Sequence, residues 1–186
     1  MIGRTQLSTA EHDEEFHEQA VNANGFGAAF AKELEMESAA SRKCLEGFSM
    51  DLFKWKPHEK SMEMGYLAVL VAEIPKWITA MITGDEIDLA TFAHFEPKTT
   101  EELVRHFDEN VEEAKKALQN LPEEELGKQF YLKVNGATVS EGTKLAMLEP
   151  TINHLVHHRG QLSVYMRLND IAVPSIYGPS ADDRSF

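Results

Sequence analysis

Apolar and small residues recur at helical spacing in several stretches of the chain, and each stretch predicts a face that packs inward. Over residues 26–48, Phe30, Leu34, Ser41, Leu45 and Phe48 lie three, four or seven apart, and Gly47 marks the end of that face. A second face runs through Met64, Leu67, Val71, Ile74, Ile78 and Met81, with Ser61 as its expected N-cap and Gly84 as its stop. Pro75 lies inside it, lacks an amide donor and crowds the carbonyl of Val71, so a kink or opened turn is expected over residues 71–75. The third face is Leu103, Phe107, Val111, Ala114, Leu118 and Leu121. It opens on a capping box of Thr99 and Glu102 and closes at Pro122. A last helix is expected to begin near Glu149 or Pro150 and to run to about Asn169, because proline suits a first helical turn.

Between residues 129 and 140 the period shortens to that of strands, on either side of Asn135-Gly136, which predicts a small hairpin. Residues 55–61, with Pro57, and residues 85–98, with Pro97, read as connections, the second long enough to cross from one end of a bundle to the other. The expected fold is all-α: a four-helix bundle with a long crossover and a small β-hairpin before the last helix. Residues 1–24 are expected to be a polar extension, and residues 25–186 the bundle domain with a loop tail over 173–180.

At 186 residues, 42% of them hydrophobic and 26% charged, the chain has the composition of one folded domain rather than of a disordered segment. Its 31 acidic and 18 basic residues give a formal charge of −13, a field that opposes binding to nucleic acid and to anionic membranes. No run reaches the roughly 18 consecutive apolar residues of a membrane span, and residues 1–20 lack the apolar core of a secretory signal. A cytoplasmic protein without membrane or nucleic-acid partners is therefore expected. Cys44, the single cysteine, falls within an amphipathic run and is expected to be a quiet, partly buried thiol.

Chemistry concentrates on the last helix. His154, His157, His158, Gln161 and Tyr165 share one stripe, at offsets of three, four, seven and eleven from the first. His154 and His158, at i and i+4, can aim their imidazoles at one point, which suits a divalent transition metal. A surface pair, or histidines hydrogen-bonded within the core, is the alternative reading of the same spacing. Arg159 can pair with a carboxylate or contact a ligand, and Gly160 is expected to permit close helix packing.

The run Asn153-His154-Leu155-Val156-His157-His158-Arg159-Gly160-Gln161-Leu162, with the segments 164–170 and 173–182 that follow, resembles the C-terminal signature of DinB-like (DinB/YfiT) proteins. Residues 55–62 and Ala72-Glu73-Ile74-Pro75-Lys76-Trp77 resemble the same family in order and separation. The resemblance implies a four-helix bundle, often a homodimer, with a divalent metal such as nickel or zinc held by three histidines. Two of them match His154 and His158. The third normally stands three residues before the glutamate matched by Glu73, and here that position is Leu70.

Leucine offers no lone pair, so the resemblance implies a metal bound weakly or not at all unless Glu73 or His58 supplies the third ligand. His94 and His106 match no motif and are expected to be solvated. Leu148 stands where many relatives carry an arginine, so an anion-orienting side chain is missing there. Two functions follow from the resemblance. In one, the protein is a metal-dependent thiol transferase or hydrolase-like enzyme, with His154 and His158 as ligands and Tyr165, Gln161 or Glu73 orienting groups or moving protons. In the other it is a non-catalytic bundle protein that has lost the metal and binds a small molecule.

Overall fold

The computed structural model of the protein describes residues 25–185, so the expected polar extension over residues 1–24 lies outside the described residues. Four helices of 20 residues or more carry the fold, and the apolar faces read from the sequence are their buried sides. Helix α1 spans Phe26–Glu46 and ends at Gly47, as expected. Helix α2 spans Met64–Thr83, and all six of its expected seam residues are buried. It begins after Glu63 rather than at Ser61, and no side chain caps it. Residues 55–63 instead close on their own backbone, with the amides of Met64 and Gly65 donating to the carbonyls of Trp55 and Phe53.

Helix α2 is the central element, packed most extensively against α3 and α5. By length and mean hydropathy alone it could cross a membrane, yet two thirds of that window, 67%, is buried inside the protein. The helix continues through Pro75. The missing amide leaves the carbonyl of Val71 without its α-helical donor, and the neighbouring carbonyl of Ala72 accepts from Nδ2 of the buried Asn110 at 2.9 Å.

After α2 the chain forms a short strand β1, Glu86–Asp88, inside the segment expected to be irregular. Helix α3, Thr100–Gln119, starts at Thr99, whose hydroxyl accepts from the Glu102 amide at 3.2 Å. The Glu102 carboxylate reaches back to the amide of Lys98 rather than of Thr99, so the capping box is displaced by one residue. A one-turn helix α4, Glu123–Leu126, precedes strands β2, Gln129–Val134, and β3, Ala137–Thr143. The expected hairpin turn is present, with Asn135 and Gly136 both at positive φ.

Strand β2 is the middle of a three-stranded sheet, antiparallel to β3 and parallel to β1. Asp88 at the end of β1 ties the sheet to its turn, because its carboxylate accepts from the amides of Ala90, Asn135 and Gly136. These bonds hold the Asp88 carboxyl below the usual range.

Helix α5 spans Lys144–Leu168 and so begins well before the expected start, with Thr143 accepting from the Ala146 amide. Pro150 therefore lies inside the helix. It leaves the carbonyl of Ala146 without an α-helical donor on an exposed face, where water can serve it. Lys144 anchors this end: it is almost fully buried, donates to the Ile82 carbonyl at 3.1 Å and lies 3.6 Å from both Asp85 and Glu125. Gly160 does not mediate close packing, since a Cβ there would meet nothing within 4 Å. Leu148, which the resemblance matched to an arginine position, is a fully buried core residue.

Cys44 is fully buried rather than partly so, and burial pushes its thiol up to about 11 despite the nearby Arg159. The folded protein should therefore not react with Ellman's reagent at neutral pH, and one thiol should appear on unfolding. Rapid labelling of the folded protein would show that α1 opens far more readily than its packing indicates.

Candidate functional site

Helices α2 and α5 run antiparallel, and that pairing positions the histidines. Thr151 lies against the sulfur of Met81, and the ring of His154 sits 5.5 Å from that of Trp77. Continuing these steps brings residues 73–74 level with His158 and position 70 level with Gln161.

His154 and His158 face each other, with their Nε2 atoms 2.7 Å apart. His158 Nδ1 lies 2.8 Å from Oε1 of Gln161. With that amide oxygen accepting, His158 carries its proton on Nδ1, and its Nε2 lone pair accepts from Nε2–H of His154. Gln161 thus orients the pair, as the sequence reading allowed. Tyr165 does not join them: it packs edge-on against Trp55, ring centroids 5.5 Å apart. His157 is exposed, with its ring 5.1 Å from that of His158.

Neither alternative for a third ligand reaches the pair. His58 is exposed on its loop, where Nδ1 accepts from the Lys60 amide at 3.1 Å. Glu73 is fully buried and turned to the crossover. Its Oε1 accepts from the Phe95 amide and its Oε2 from His94 Nδ1, both at 2.8 Å, and His106 Nε2 lies 3.8 Å away. The expectation that both His94 and His106 are solvated fails for His106, while His94 is exposed as expected. His106 is only 17% exposed and stacks on Phe95 with centroids 4.1 Å apart, while His94 is half exposed yet tied to Glu73. Leu70, which the resemblance matched to a histidine position, is buried and has no donor. Among the described residues no group of three or more His, Cys, Asp or Glu side chains is placed to hold a metal ion. Two imidazoles alone are a poor match to the three protein ligands of a catalytic zinc.

The sequence reading missed the cavity that the pair borders. It measures about 790 Å³ and lies between α2, α5 and the sheet. Ile87, Leu132 and Ser140 stand in one row across the three strands and form one wall with Phe130. Trp77 and Met81 supply a second wall. The early turns of α5, from Ala146 to His154, close the third, and His157 stands at the edge. Trp77 lines the cavity with its ring, while its indole N–H is buried and has no hydrogen-bond partner among the described residues. Alternation of Phe130 and Leu132 was the available signal for this wall, but nothing local says that β1 completes it.

Burial is the main cause that lowers the titration of His154 and His158, and neighbouring imidazoles lower it further. Burial also lowers His106, against the pull of Glu73. All three folded values lie below the ordinary 6.5, so on acidification the unfolded chain takes up protons first. The stabilisation from keeping these rings neutral is therefore complete above about 6.5 and is lost as the pH falls below it. The urea midpoint should drop over that range, and the drop should shrink in a His154→Gln/His158→Gln double variant. An unchanged slope would mean that these two rings are not buried as neutral groups.

A model of the DinB family matches residues 16–184 of the chain. Over 160 residues the chain is 26% identical to the uncharacterized protein YrdA of Bacillus subtilis (strain 168), an alignment covering 83% of this chain and 89% of that protein. Two solved structures share the fold. A DinB-like protein from Bacillus subtilis, YjoA, superposes with a TM-score of 0.62 at 21% identity, over 84% of this chain and 99% of that one. A DinB-like protein from Bacillus cereus gives the same score and identity, over 80% of this chain and 95% of that one.

Proposed function

The chain belongs to the DinB family, and from that premise we infer that it is a small-molecule-binding four-helix-bundle protein in which a histidine pair persists without a tight metal site. The observation that carries this reading is the facing pair His154 and His158 beside a largely apolar cavity, with Leu70 where a third histidine would stand. Such a pair can accept or donate hydrogen bonds to a bound molecule as neutral imidazoles. The reading in which the protein is a metal-dependent transferase or hydrolase is favoured by the convergent Nε2 atoms, and by the Gln161 contact that would orient one ligand. Glu73 and His58 speak against it, since both are engaged elsewhere. A homodimer is part of the proposal, and light scattering at twice the 20.9 kDa chain mass would support it.

Calorimetric titration with zinc and nickel separates the two readings, at a pH where imidazoles are neutral. The unmodified protein should bind either metal weakly. Leu70→His should tighten binding by about tenfold or more, near 1.4 kcal/mol, by adding a third imidazole. His154→Ala in that background should remove the gain, and His106→Ala should leave it. Tight binding by the unmodified protein would favour the metal enzyme, and Glu73→Gln or His58→Ala would then locate the missing ligand.

A further inference from the structure

Resting on the reading that the cavity between α2, α5 and the sheet receives a small molecule, we propose that this molecule is an uncharged, largely apolar compound. Two features define it. The first is size, since about 790 Å³ is room for an organic molecule of the dimensions usual for ligand sites.

The second is charge. Among the described residues, no Lys, Arg, Asp or Glu lines the cavity. Of the lysines beside the walls, Lys133 pairs with Glu86, Lys144 pairs with Asp85 and Glu125, and Lys76 lies over the Phe92 ring and donates to the Ala93 carbonyl. A carboxylate or phosphate would lose its hydration without gaining a counter-ion, within a chain of formal charge −13. A cation would find no carboxylate in the walls.

The test is a fluorescence titration of the full chain with Prodan, an uncharged naphthyl ketone whose emission reports hydrogen bonding at its carbonyl. Anilinonaphthalene sulfonate, of similar size but fixed negative charge, is the comparison. The ketone should bind saturably at one per chain, and the sulfonate at least about tenfold more weakly. Ala146→Trp and Ser140→Trp, both at exposed positions on the cavity rim, should each weaken the ketone by a similar factor while leaving the melting temperature unchanged.

Equal or tighter binding of the sulfonate, or ketone binding untouched by both rim variants, would overturn the proposal. So would ketone binding that is lost as light scattering rises to the dimer mass, because a second copy would then cover the cavity. Tight metal binding by the unmodified protein would instead overturn the reading beneath the proposal, and the calorimetric titration detects that separately.

Discussion

Arg159→Ala should lower the free energy of unfolding by about 3–5 kcal/mol, the range for breaking a buried ion pair from one side. Arg159 is 1% exposed and holds two elements at once. Its Nη1 donates to the carbonyl of Glu37 at 3.0 Å and to the Glu37 carboxylate at 2.6 Å, and its Nη2 donates to the Tyr177 hydroxyl at 2.9 Å. Tyr177 in turn donates to the same carboxylate at 2.9 Å. Removing the guanidinium leaves Glu37 largely buried without its cation and frees the tail that Tyr177 fastens to α1. The sequence left Arg159 between a carboxylate and a ligand, and the carboxylate has it. The double variant Arg159→Ala/Glu37→Ala should lose less than the sum of the single changes. Urea denaturation measures all three, and a loss under about 1 kcal/mol for Arg159→Ala would mean that the pair is solvated.

Leu67→Asp should cost about 3 kcal/mol or more, because a carboxylate would replace a fully buried side chain in the central helix. Leu67 lies in the first turn of α2, on the seam that joins the hydrophobic core, and its side chain has no path to water. Thermal melting that matches the unmodified protein would contradict the packing of α2.

The helical seams were legible because each depends only on spacing within one element, and the same holds for the Asn135-Gly136 turn and the Thr99 cap. Strand β1 was not legible. Three residues carry almost no periodic signal, and their pairing with β2 is parallel and distant in sequence, fastened by Asp88 to a turn beyond β2. The start of α5 was misplaced because Pro150 suits a first turn so well, whereas Thr143 and the buried Lys144 set the true beginning. In the site, i and i+4 spacing was enough to bring His154 and His158 together. The fate of Glu73 was hidden, because its partners His94, Phe95 and His106 come from the crossover and α3. The cavity was hidden for a related reason: its walls belong to a sheet whose third strand could not be seen.

Without a third donor, the histidine pair should hold no metal tightly. The most direct test is the metal content of the unmodified chain, made without a histidine tag in medium supplemented with nickel and zinc, then dialysed and measured by plasma mass spectrometry. The predicted result is far less than one metal per chain, with Leu70→His retaining clearly more under the same treatment. One equivalent of nickel or zinc surviving dialysis in the unmodified protein, and lost in His154→Ala, would contradict the account.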